Sequence, residues 1–267
     1  IGGLEPLAQF KNESVEFENK GISVATDACL GVDGRPQSAS GQTTIYTGIN
    51  APKFLGYHKQ GFPNEKLRGI IRERSIFKQL DDSGIGSNLF ANTYTPKFFE
   101  KPPRWKSATT CAVEAADLSF CRLPDLLGGM SLFHDFTNRT LIETGHRVPE
   151  FSAFDAADVL ANLSRNHRFV LYEHFITDKI GHDQDWDRAE FHLPELAEFI
   201  RKTIELIDLS KTTFVLTSDH GNIEDLSIRN HTRNSVPTVV WGRDKKRFSQ
   251  RIRSLDDITP AILENLA

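Results

Sequence analysis

The chain has 267 residues, of which 39% are hydrophobic and 25% charged, with a formal net charge of −4. That balance suits one large domain with its own buried core and excludes a disordered chain, a collagen and a coiled coil. The longest apolar runs fall short of the roughly 18 residues that a membrane-spanning helix needs, and a mildly acidic chain lacks the cation excess on which general nucleic-acid binding draws.

Elements alternate along the chain. Gly21 to Thr26 reads as a short strand, and Ser40 to Thr47 as a helix opening after a Gly/Pro-marked loop. Leu67 to Leu80 reads as one helix closed by Gly84, and Ile85 to Ala91 as a strand. Ala153 to Leu163 is helical, and FVLYEHF at 169–175 is a strong strand. Leu193, Leu196, Ile200, Ile204 and Ile207 form one apolar stripe on a long helix. TTFVLT at 212–217 reads as a buried strand, Val236 to Trp241 as another, and Ser254 to Asp257 as a capping box before a closing helix. This alternation predicts a mostly parallel sheet covered on both faces. The whole of 1–267 reads as one domain, with an irregular, proline-bearing elaboration at about 52–149. The phenylalanines of that elaboration, Phe54, Phe62, Phe98 and Phe99, are expected in the core.

Three cysteines, Cys29, Cys111 and Cys121, form no CxxC pair. They read as reduced thiols of a cytoplasmic protein, not as a disulfide framework or a thiolate zinc site. No targeting peptide is visible in the Ile1-Gly2-Gly3 opening.

Chemistry concentrates at strand ends. Thr217-Ser218-Asp219-His220-Gly221-Asn222 follows TTFVLT directly, which puts Asp219 and His220 at the carboxyl edge where α/β sheets bind ligands. Asp178 and His182 follow FVLYEHF on the same edge, four residues apart, so that one helical turn brings both to one ion. His231-Thr232 adds a third imidazole before the strand at Val236. Mixed carboxylate and imidazole ligation suits zinc or manganese. Any one of these residues alone reads as an N-cap or an ordinary histidine; their combination at three strand-end loops points to a metal centre. The six remaining histidines have no comparable placement. A fourth patch, Gly34 to Gly48, carries hydroxyls in the first turns of a helix, whose amino end favours anions. Spacing leaves Ser38, Ser40, Thr43 and Thr44 open as candidate nucleophiles.

With DxxGH, SDHG and HT in this order, and the runs PQSASGQTTIYTGINAPKFLGYHKQG and SDHGNIEDLSIRNHTRNSVP, the sequence resembles the alkaline phosphatase superfamily of metalloenzymes. Within it, the likeness is to a metalloenzyme-domain group related to cofactor-independent phosphoglycerate mutase and phosphopentomutase. The resemblance implies a three-layer α/β/α sandwich and two divalent metal ions, zinc or manganese. Asp178, His182 and His231 match the ligands of one ion, and Asp219 and His220 match ligands of the other. Ser38 matches the nucleophile, by its spacing to Thr47-Gly48 and to Gly41. The superfamily completes the second site with an Asp just after its first strand. Ile1-Gly2-Gly3 resembles the segment following that Asp, so the resemblance implies an amino-terminally truncated chain with one ligand absent and an impaired second site.

The expected activity is hydrolysis of a phosphate ester through a phosphoserine, since the middle region is small for a cap. A phosphomutase is the alternative, and a metal-binding scaffold with a degenerate second site is the non-enzyme alternative. A sulfatase is disfavoured because Ser38-Ala-Ser-Gly-Gln42 does not fit its C/S-x-P-x-R pattern. The expected partner is a small phosphorylated substrate, with Arg35, Gln42, His58 and Arg233 as substrate-binding candidates and no nucleic acid or membrane partner.

Overall fold

The computed structural model describes residues 15–16 and 21–267. The reading made at Ile1-Gly2-Gly3 lies outside the described residues. In chain order the elements are β1 (Val15–Glu16), β2 (Ile22–Thr26), α1 (Ser38–Thr47), α2 (Ala51–Leu55), α3 (Glu65–Arg74) and α4 (Ile76–Asp82). They continue with β3 (Asn88–Phe90), β4 (Thr93–Tyr94), α5 (Pro96–Glu100), α6 (Ala108–Glu114), β5 (Cys121–Arg122), α7 (Leu123–Leu127) and α8 (Arg139–Glu143). Then come α9 (Ala153–Asn166), β6 (Phe169–Leu171), α10 (Ile176–Asp183), α11 (Trp186–Leu206), β7 (Thr213–Leu216), β8 (Val236–Gly242), α12 (Lys245–Arg251), a 3-10 turn at Leu255–Asp257 and α13 (Ile258–Leu266).

A mixed α/β architecture results, but its largest sheet is not parallel as expected. That sheet has the order β1-β2-β8-β7, and each of its pairings is antiparallel, with Ile22 opposite Val240 and Val215 also opposite Val240. Parallel pairing occurs between β3 and β6 and between β4 and β5. Strand–helix alternation in the sequence sets element order, but it does not say which strand returns beside which.

Both faces of the four-stranded sheet are covered. From β8, Val239 and Trp241 enter a cluster with Leu160 and Leu163 of α9 and Phe199, Ile200 and Ile204 of α11. Val236 and Val240 point the other way, into a cluster with Ile22, Val24, Phe248, Ile252 and Ile258. The period-2 alternation of a strand is what divides these residues between the faces.

Three sequence readings are corrected. The helix expected over Leu67–Leu80 is broken at Ser75, which is extended (φ −58°, ψ 144°) and accepts the Lys78 N–H to cap α4. The strand expected over 169–175 stops at Leu171. Beyond it the Asn92 side chain replaces the ladder, donating to Glu173 O at 2.7 Å and accepting from Glu173 N at 2.9 Å. Phe54 and Phe62 are not core but 56% and 48% exposed, whereas Phe98 and Phe99 pack with Tyr94 and Phe120. The three cysteines are free thiols, and no helix among the described residues is long and apolar enough to cross a membrane.

Candidate metal centre

Four hydroxyls compete for the nucleophile's place in the sequence, and α1 separates them. Ser38 is its first residue, after the N-cap Gln37. Ser40, Thr43 and Thr44 are fully buried and spend their hydroxyls on the carbonyls of Gln37, Ala39 and Ser40. The Ser38 hydroxyl instead lies 2.9 Å from His220 Nε2. The Ser-x-x-Gly spacing has a packing cause. A Cβ on Gly41 would stand 2.7 Å from the Asp219 carbonyl oxygen, so glycine lets α1 rest on the loop after β7.

The DxxGH segment forms α10, and its helical turn brings His182 Nε2 to 3.5 Å from Asp178 Oδ1. Asp178 Oδ1 is also 3.4 Å from His231 Nε2 and 3.9 Å from His220 Nε2. His182 Nε2 and His231 Nε2 are 3.1 Å apart, and Asp219 Oδ2 is 3.5 Å from His220 Nε2. The His220 and His231 rings stack at 3.5 Å. All five predicted ligands therefore form one cluster. Within it, Asp178, His220 and His231 have ligand atoms within 4.8 Å of one another. The shortest separations run among Asp178, His182 and His231, at 3.1 to 3.5 Å, and between Asp219 and His220, at 3.5 Å, with His220 also 3.9 Å from Asp178.

Two imidazoles are oriented from behind. His231 Nδ1 lies 2.8 Å from Pro36 O and His182 Nδ1 2.8 Å from Arg229 O. A carbonyl at Nδ1 fixes the tautomer that turns Nε2 toward the centre. Electrostatics fit a cation. Asp178 Oδ1, Asp219 Oδ2 and His220 Nδ1 are buried without a hydrogen-bond partner. Burial raises the Asp219 carboxyl. Burial also presses Asp178 upward, but the imidazoles of His231, His220 and His182 around it outweigh burial and hold the group below its usual range. For His231 burial works downward and is overcome by Asp178 and the Pro36 carbonyl, which raise it. Orphaned carboxylate oxygens among imidazoles are a donor set that a divalent ion of the zinc or manganese kind satisfies.

A family profile described as the Metalloenzyme superfamily matches residues 115–267, more than half of the chain. The chain belongs to the Metalloenzyme superfamily. This bears out the resemblance read from the DxxGH, SDHG and HT motifs, and the matched segment holds all five clustered residues. Among similar proteins, the 2,3-bisphosphoglycerate-independent phosphoglycerate mutase of Ehrlichia ruminantium (strain Gardel) is 30% identical over 135 residues, 47% of this chain and 26% of the relative. The 2,3-bisphosphoglycerate-independent phosphoglycerate mutase 1 of Archaeoglobus fulgidus is 33% identical over 121 residues, 40% of this chain and 29% of the relative. The chain thus spans about a quarter of the length of these relatives. A structure of the PH0037 protein from Pyrococcus horikoshii aligns over 76% of this chain and 55% of its own, at 14% identity and a TM-score of 0.41.

In this metalloenzyme the expected substrate-binding residues are placed unevenly. Arg35 and Arg233 are exposed, on the two loops that the Pro36 O–His231 Nδ1 contact holds side by side. Gln42 is half-buried in α1, and His58 Nε2 lies 3.2 Å from Val32 O, at the loop leading to α1. Sequence reasoning missed a second histidine pair. His174 Nε2 and His192 Nε2 are 2.9 Å apart, with His174 Nδ1 2.8 Å from His134 O. The stretch FVLYEHF reads as strand throughout, and His192 falls within the α11 stripe, so neither histidine carries a local signal.

Proposed function

We propose that the chain carries out metal-dependent phosphoryl transfer, with Ser38 as nucleophile and a phosphomutase reaction as the outcome. One observation carries the reading: the only first-turn hydroxyl of α1 not engaged by a backbone carbonyl faces His220, within a cluster of two carboxylates and three imidazoles. Asp178, His182 and His231, together with Asp219 and His220, would hold two divalent cations. Bound there, such ions act as Lewis acids on phosphoryl oxygens and lower the pKa of a nearby hydroxyl. Ser38 Oγ gives its proton to water and attacks phosphorus in line. The ester P–O bond breaks, and the departing alkoxide takes up a proton. The amino end of α1 stabilises charge on the phosphoryl oxygens. Arg35 and Arg233 hold the rest of the anionic substrate, with His58 and Gln42 beside them. A second hydroxyl of the same molecule then attacks the phosphoserine and frees Ser38.

The names of the relatives support this ending better than the hydrolysis expected from the sequence. Hydrolysis is the second reading, favoured by the openness of the cluster: the Asp178 and His182 side chains are 35% and 38% exposed, within reach of water. With the mutase reading goes an alkaline phosphatase-like α/β/α sandwich, supported by the helices on both faces of the four-stranded sheet.

The test is a phosphorus NMR time course with manganese-loaded protein and 3-phosphoglycerate. A 2-phosphoglycerate signal that disappears in Ser38→Ala supports the mutase. Inorganic phosphate alone, equally lost in Ser38→Ala, replaces it with hydrolysis. Turnover that survives Ser38→Ala overturns the nucleophile.

A further inference from the structure

The candidate ligand histidines sit on α10 (His182) and at two points of the long connection between β7 and β8 (His220 and His231), and side chains outside the ligand set tie these segments together. Glu224 receives three donors. Its Oε2 accepts the Asn222 N–H at 2.6 Å, and its Oε1 accepts the Thr232 hydroxyl and the Asn234 Nδ2 amide at 3.2 Å. The Thr232 N–H in turn donates to Gly221 O at 3.1 Å. Asn222 stands two residues after His220, and Thr232 directly follows His231. Gly221 has no Cβ because one would overlap both Glu224 Oε1 and Thr232 Oγ1. The other side of Asn222 meets α10: a Cβ on Gly181, the residue before His182, would overlap Asn222 Oδ1. Asn222 is 4% exposed, so this contact is packed.

We propose that Glu224 is a positioning residue which, through Asn222 and Thr232, fixes the spacing of the segments bearing His182, His220 and His231 and thereby sets the affinity of the cluster for a divalent cation. The inference rests on the metal-binding part of the reading above. Groups behind the ligands of a metal site typically change its affinity by about 10- to 100-fold when removed. The carboxylate suits the task because it offers two oxygens to three converging donors, and charge-assisted hydrogen bonds are the stronger kind. The mechanism is geometric. Without Glu224 the Asn222 and Thr232 segments lose their common acceptor, and the imidazoles have to be ordered at the moment of binding.

The experiment uses the whole chain with cobalt(II) as the probe, titrated by its visible absorption, and amide exchange in the metal-free protein. Glu224→Ala and Thr232→Val are expected to weaken cobalt binding about 10- to 100-fold and to shift the visible band at saturation. Thr232→Ser keeps the hydroxyl and is expected to stay close to wild type. Exchange at the Asn222 amide should speed up in metal-free Glu224→Ala. Wild-type affinity and band position in both Glu224→Ala and Thr232→Val overturn the proposal alone. Failure of the wild-type chain to take up cobalt overturns the metal reading and the proposal together. Should Glu224→Ala fold poorly, the contrast between Thr232→Val and Thr232→Ser decides the matter, since equal affinity in these two refutes the clamp.

Discussion

Gly41 and Gly69 both lie inside helices, and the structure assigns alanine opposite effects at the two positions. In a helix interior, alanine is better than glycine by about 0.8–1.0 kcal/mol. At Gly69, in α3, an added Cβ meets nothing within 4 Å, so Gly69→Ala should stabilise by about 1 kcal/mol. At Gly41, in α1, the same Cβ would be 2.7 Å from Asp219 O and 3.2 Å from Asp219 Cβ. The closest atom is backbone and cannot rotate away, so α1 and the loop after β7 must part. Overpacking of this kind costs about 1–3 kcal/mol, which cancels or outweighs the propensity gain. The propensity term is common to both variants, so their difference isolates the contact at about 1–3 kcal/mol. Urea unfolding of the metal-free proteins measures it through the midpoints, provided the slopes agree. Equal stabilisation by the two alanines would refute the packing of α1 on the Asp219 loop, and with it the placement of Ser38 beside His220.

Other consequences follow from single groups. Burial, and after it His192, holds His174 down to about 3, so its imidazole stays neutral in the fold. An unfolded histidine takes up its proton near pH 6.5, so between roughly pH 6 and 3 the unfolded chain binds one more proton. His174 should therefore make stability fall by about 1.4 kcal/mol per pH unit as pH is lowered through that window. Unfolding free energies measured in steps of pH for wild type and His174→Gln should diverge by that slope, and parallel curves would contradict the neutral buried pair. His231 is raised, and a cation must displace its proton; metal affinity should climb about tenfold per pH unit until that raised value is passed. Calorimetric titration with manganese at several pH values reads this directly, and an affinity independent of pH would count against His231 as a ligand. Trp241 is 1% exposed in the cluster between β8 and the α9/α11 pair, so Trp241→Ala should lose about 3–5 kcal/mol of stability in a denaturant titration.

The clustering of the candidate ligands was legible because their spacing is local. Asp178 and His182 are four apart, so a single turn of α10 brings them together, and Asp219-His220 follow a strand whose end is marked by its apolar run. The choice among the hydroxyls was not written in the spacing. It depends on where each side chain finds an acceptor: Ser40, Thr43 and Thr44 find one within α1, and Ser38 does not. The direction of the strands was lost for a different reason. β2, β7 and β8 each show the apolar pattern of a buried strand, yet that pattern is the same for either direction of pairing. Composition also misled at Phe54 and Phe62, which are half exposed; on α2 it is Ala51 and Leu55 that pack against Ala39, Leu67 and Ile70. The His174–His192 pair joins the segment after β6 to α11 across 18 residues, with the Phe136 ring beside both imidazoles, a proximity that tertiary packing creates.

The central claim is that Ser38 receives a phosphoryl group when the cluster holds metal. The most direct measurement is peptide mass spectrometry after brief exposure of the manganese-loaded chain to a phosphate monoester and rapid acid quench. The account predicts a phosphate on the peptide containing Ser38, absent after chelation and absent in Asp178→Asn. Phosphate on Ser40, Thr43 or Thr44, or on Ser38 irrespective of metal, would contradict it.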